Sequence, residues 1–91
     1  MRYFYADARN IETPKALQIY LQYQMNFPEW YGRNLDALYD MLTDYAEPVS
    51  LVLTVSKAPG DEMKSYLGRV KRVLEDAADE NNHFSFRILE Q

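Results

Sequence analysis

The sequence predicts an α/β domain, a two-layer sandwich in which helices cover one face of a three-stranded parallel sheet. Three observations lead there. Strand-like and helix-like runs follow the order strand, helix, helix, strand, helix, strand, and strands joined through helices pair in parallel with right-handed crossovers. Apolar and polar residues alternate in the second and third strands, whereas a strand covered on both sides reads as continuously apolar. At 91 residues the chain suits one domain, spanning residues 1–91, and is too short for two.

Taken in order, Tyr3-Phe4-Tyr5-Ala6 is an aromatic run that ends at polar Asp7-Ala8-Arg9-Asn10, a first strand and its turn. Thr13 then suits an N-cap, with Pro14 at the first helical position, where a missing N–H costs nothing. That helix continues to about Gln24, with Ala16, Leu17, Tyr20 and Leu21 spaced to face inward. Asn26-Phe27-Pro28 stops the pattern, since the residue before a proline is pushed toward extended backbone. A loop, Trp30-Tyr31-Gly32, follows, its glycine a candidate for a positive-φ turn. Asn34 caps the second helix, and Leu35, Leu38 and Leu42 carry it to Thr43.

Pro48 precedes Val49–Val55, whose alternation marks the second strand. Ala58-Pro59-Gly60-Asp61 is a turn. Beyond it, Met63, Tyr66, Leu67, Val70, Val73, Leu74, Ala77 and Ala78 form the most amphipathic stretch, in which Gly68 could kink or divide the helix. Asn81-Asn82 closes that helix, and Phe84, Phe86 and Ile88 alternate with Ser85 and Arg87 as the last strand.

The absence of cysteine removes disulfides and thiolate metal sites from consideration. At the N-terminus the chain meets Asp7 before an export signal could accumulate its apolar core, and no stretch approaches the length of a membrane span. The expectation is a cytoplasmic protein without membrane contact.

The net charge of −4 is concentrated. Glu29, Asp36, Asp40, Asp44 and Glu47 face Arg33 alone between residues 29 and 47, and the remaining charges balance. Such a field argues against direct nucleic-acid binding and for a basic partner or a metal. Within it, Asp36 and Asp40 lie one turn apart on the leucine-backed helix. Like charges at that spacing cost a few tenths of a kcal/mol, and aspartate is a poor helix former. A role other than stability asks for them.

Paired carboxylates suit acid/base chemistry or Mg²⁺, so Asp36, Asp40 and Asp44 are weighed first as an enzyme site. Their accompaniment is thin. His83 is the only histidine and sits at the entry to the last strand, and neither a cysteine nor a glycine-rich phosphate loop is present. These gaps argue against an enzyme, a resident metal and a cofactor. A helix presenting Asp36, Tyr39, Asp40 and Asp44, with Trp30 and Tyr31 before it, has instead the ingredients of a protein interface, in which aromatic side chains stand beside charges. The bland reading of the same residues is that the aromatics fill the core edge and the aspartates are solvated.

The run Pro28-Glu29-Trp30-Tyr31-Gly32-Arg33-Asn34-Leu35-Asp36-Ala37-Leu38-Tyr39-Asp40-Met41-Leu42-Thr43 resembles the signature segment of the barstar family of ribonuclease inhibitors. That signature is one or two aromatics, then Gly-x-Asn-Leu-Asp-Ala-Leu, an aromatic, and Asp. The resemblance implies an inhibitor that lays its second helix and the preceding loop across the active site of a basic microbial ribonuclease, one to one, with its acids in the places of RNA phosphates. It assigns Asp36 and Asp40 as acidic anchors, Asp40 the main one. Trp30 takes the place of a stacking tyrosine, Asn34 is the helix-start asparagine, and Tyr39 stands where a tryptophan is common. Tyr31, Gly32, Thr43 and Asp44 fall within or beside the same surface, Tyr45 takes the place of an aromatic after the helix, and Asp76 or Glu80 that of an acidic rim residue. A role in immunity to a toxin nuclease is implied as well. The other function that the residues allow is an acidic module of this fold that binds a different basic protein.

Overall fold

In the computed structural model, which describes residues 1–91, the elements β1 (Arg2–Asp7), α1 (Pro14–Gln24), α2 (Leu35–Thr43), β2 (Val49–Val55), α3 (Asp61–Glu80) and β3 (Phe84–Glu90) follow in the expected order. The sheet runs β1-β2-β3 with both pairings parallel. In register, Leu51 of the central strand stands between Phe4 and Phe86, and Leu53 between Ala6 and Ile88. These residues point to one side. Phe4, Ala6, Val49, Leu51, Leu53, Val55 and Phe84 are buried there, while Tyr3, Tyr5, Ser85 and Arg87 on the other side are exposed. Ser50, flanked by Tyr3 and Ser85 in the central strand, is the buried polar residue of the open face.

The helices supply the second layer. Leu17 and Leu21 of α1, Leu38 and Leu42 of α2, and Met63, Val70, Leu74 and Ala77 of α3 close over the strands as one cluster. Each fully buried leucine contributes about 1.5–3 kcal/mol, so the core rests on packing. Thr13 caps α1, its hydroxyl accepting the Ala16 N–H at 3.1 Å. No helix is long and apolar enough to cross a membrane.

Three local expectations are corrected. Gly68 neither kinks nor divides α3, which runs unbroken from Asp61 to Glu80 with open space at that glycine. Ala16 is exposed, and its expected place in the core is taken by Gln18 and Gln22, both buried. Gly32 does not adopt positive φ. That backbone belongs to Arg33 (φ 54°) and, at the end of α1, to Asn26 (φ 56°).

Candidate partner-binding site

Helix α2 is fixed at both ends. At its start the side-chain Oδ1 of Asn34 accepts the Ala37 N–H at 2.7 Å, and its side-chain Nδ2–H donates to the Gly32 carbonyl at 3.2 Å. A cap of this kind is worth about 1 kcal/mol. A Cβ on Gly32 would lie 3.2 Å from the Ala37 Cβ and 3.3 Å from the Asn34 amide nitrogen. Glycine is there for close approach to the helix start.

At the other end the anchor comes from another element. Asn81, the residue that closes α3, donates its amide to the carbonyls of Leu42 and Tyr45, each at 3.1 Å, and accepts the His83 N–H at 3.0 Å. Leu42 lies in the last turn of α2, whose carbonyls have no partner inside the helix. The bond therefore ties the C-terminal ends of α2 and α3 together.

The loop that leads into α2 is braced from beneath by the two buried glutamines of α1. Gln22 donates its amide to the Pro28 carbonyl at 2.8 Å and accepts the Arg33 Nε–H at 2.7 Å. One turn earlier, Gln18 accepts the Tyr31 hydroxyl and donates to the Tyr66 hydroxyl at 2.8 Å. No buried side-chain polar atom is left without a partner, as a low-dielectric site demands. Tyr31 is 4% exposed, and its ring packs 4.7 Å from that of Phe27. Its place is beneath the surface, so the core-filling reading holds for Tyr31 and fails for Trp30, which is 78% exposed.

Burial pushes the Tyr31 phenol well above its ordinary range, with a neighbouring Tyr66 adding to the effect. Burial raises Tyr45 too, against a smaller opposing pull from Arg2. Below about pH 10 both phenols are neutral whether the chain is folded or not. Above it the unfolded chain releases protons that the folded one holds, so stability falls as pH rises. An absorbance titration near 295 nm is expected to show Tyr31 and Tyr45 holding their protons above the ordinary phenol range until the fold is lost.

The outer face of α2 carries Asp36, Asp40 and Asp44, all exposed. None has a cation within ion-pair distance, since the ion pairs of the molecule are Arg9–Asp7 and Arg72–Asp76. Their helix positions differ in consequence. Asp36 sits in the first turn of α2, where the helix dipole favours a negative charge, whereas Asp44 is at the C-cap, where the dipole opposes one. Asp40 lies in the last turns without either a cation or a favourable dipole. Tyr39 and Tyr45 are half-buried against the core. The Thr43 hydroxyl donates back to the Tyr39 carbonyl at 2.9 Å and also lies 3.3 Å from the Asp40 carbonyl.

Trp30, Gly32, Asn34, Asp36, Tyr39, Asp40, Thr43, Asp44 and Tyr45 thus belong to one continuous stretch of loop and helix. Asp76 stands apart on α3, exposed and 3.9 Å from Arg72. Glu80 is the last residue of α3, next to Asn81. No group of three or more histidine, aspartate or glutamate side chains is placed to hold a metal ion. Sequence reasoning did not single out Gln18, Gln22 or the bond made by Asn81. The glutamines left a trace, as amides set beside Leu17 and Leu21 on the inward side of α1.

Comparison with known proteins gives this arrangement a lineage. A protein of Bacillus subtilis (strain 168) named "Putative ribonuclease inhibitor YrdF" is 37% identical over 81 residues, covering 88% of this chain and 89% of that protein. The family described as "Barstar (barnase inhibitor)" matches residues 1–91. With the family model matched over residues 1–91 and this relative aligned over most of both chains, the chain belongs to the barstar family.

Proposed function

We propose that this protein inhibits a basic, barnase-like ribonuclease by covering the enzyme's active site with the outer face of α2 and the loop before it. The observation that carries the reading is the row Asp36, Asp40 and Asp44, exposed and without cation partners on a helix tied down at both ends. Charges left unpaired on a rigid support are ready for a partner's cations, because little ordering remains to be done on binding. The active site of a ribonuclease binds phosphates and is positively charged, so a row of carboxylates competes with RNA there. Trp30 supplies the exposed aromatic surface beside the acids, and Asp76 or Glu80 of α3 takes the part of an acidic rim residue.

Family membership and the name of the Bacillus subtilis relative support this reading. It entails one inhibitor bound to one enzyme and action inside the producing cell, where a secreted or toxin nuclease is a hazard. The test is a panel of small microbial ribonucleases assayed with and without the protein. Inhibition of at least one is expected, and its loss when Asp36 and Asp40 are both replaced by alanine. Inhibition that survives the double replacement would contradict the mechanism. Tight capture of a basic protein with no nuclease activity would point to the other binding role.

A further inference from the structure

Beside the acidic row, a depression of about 490 Å³ opens between the starts of α1 and α2 and the middle of α3, and its wall is cationic. Lys15, Arg33 and Arg69 line it, with Asp36 its one carboxylate. None of the three cations is in an ion pair. Two are held in place by the network that braces the loop. Arg33 donates its Nε–H to Gln22 at 2.7 Å, and the Arg69 guanidinium lies 5.8 Å from the centre of the Tyr66 ring, whose hydroxyl bonds Gln18. An acidic chain has thus gathered a surplus of positive charge in one concavity.

The geometry points to a carboxylate of the bound ribonuclease as the occupant of this corner. The inference rests on the ribonuclease reading above and adds a second, oppositely charged anchor to it. Arg33 lies between Gly32 and Asn34, so a protein that covers Trp30 and Asp36 also reaches the depression. Because Nε is engaged by Gln22, the two terminal nitrogens of Arg33 are left to grip a carboxylate in the two-toothed geometry that favours arginine. Lys15 and Arg69 flank that position. An RNA strand is the poorer occupant, since its further phosphates would run along Asp36 and Asp40. The corner therefore acts in specificity: the acids meet the active site, while the cations require an acid at a set place on the enzyme's rim.

The test turns on sign. The variant Lys15→Glu/Arg69→Glu makes an acidic inhibitor more acidic, and long-range steering toward a basic enzyme would by itself speed association. The corner predicts the reverse for affinity. With barnase as the probe, the double reversal is expected to weaken binding about tenfold, chiefly through faster dissociation, and Lys15→Gln/Arg69→Gln by a smaller factor in the same direction. Neutralising rim carboxylates of barnase one at a time should find one whose loss abolishes the difference between the reversed and unsubstituted inhibitors. Equal or tighter binding by the double reversal overturns the proposal, as does a short single-stranded RNA that shifts the resonances of Lys15 and Arg69 in the free protein. Asp40→Ala, measured alongside, reports on the ribonuclease reading separately. Barnase binding that depends on Asp40 but not on Lys15 and Arg69 sinks the corner alone, whereas failure to bind barnase and every other ribonuclease of the panel overturns both.

Discussion

Asp40→Ala is expected to weaken ribonuclease binding by about thirtyfold to several thousandfold while making the free protein more stable. The first figure corresponds to about 2–5 kcal/mol for removing one member of a desolvated charge pair, a range to which complexes of this family themselves contribute. The second effect comes from the helix. Asp40 lies one turn from Asp36 and one from Asp44, toward the end of α2 where the dipole disfavours anions. Alanine removes both repulsions and raises helix propensity, for a gain of about 0.5–1 kcal/mol. In a domain of this size that gain raises the melting temperature by a few degrees. Calorimetry and binding kinetics on the same preparation check the pair of outcomes, and Asp40→Asn separates charge from shape. A variant that loses affinity and also melts lower would mean that Asp40 supports the fold, contrary to its exposed and unpaired position.

Replacing Asn81 is expected to have the largest effect on stability outside the apolar core. Asn81→Ala removes the donor to the carbonyls of Leu42 and Tyr45 and the acceptor for the His83 N–H. Asn81 is 9% exposed, so little water can replace these bonds, and unsatisfied groups of this kind add up to about 2–4 kcal/mol. That is a large share of the ~5–15 kcal/mol by which such domains are stable. Asn81→Asp retains the acceptor for His83 but turns a carboxylate oxygen toward the two carbonyls, and is expected to do no better than alanine. Its exposed neighbour gives the control, because Asn82→Ala should stay within about 0.5 kcal/mol of the unsubstituted chain. Urea unfolding of the three variants decides, and an Asn81→Ala midpoint equal to that of Asn82→Ala would show that the tie contributes nothing.

Much of this architecture was legible in the sequence because its signals are local. Thr13 with Pro14 marks the start of one helix and Asn34 the start of another, and both caps make the bonds that their chemistry suggests. Alternation in Val49–Val55 and the long stripe from Met63 to Ala78 needed only periodicity. The acidic row was readable too, since a cluster of charge survives any folding of the chain. What escaped was polar and long-range. Gln18 bonds Tyr66, and Asn81 bonds Leu42 across a comparable stretch of chain, and no pattern of neighbours announces such pairs. A glutamine on an apolar stripe reads as a solvated edge until its partner is known. Gly32 was misread for a related reason. Its small size answers to the approach of Ala37 and Asn34, whereas the left-handed backbone went to Arg33, an arginine that gives no such signal.

The tie between Asn81 and the tail of α2 also has a consequence in time. Both strand pairings are parallel, so every sheet contact closes a long loop, a topology that folds late relative to its local helices. During synthesis the segment from Trp30 to Asp44 leaves the ribosome well before β3, and before the asparagine that holds its far end. A nascent chain therefore carries the proposed binding residues in order but not yet in place. If the protein acts as proposed, protection against a nuclease begins with the arrival of β3, which lies outside the proposed binding face and yet sets the moment at which that face is complete.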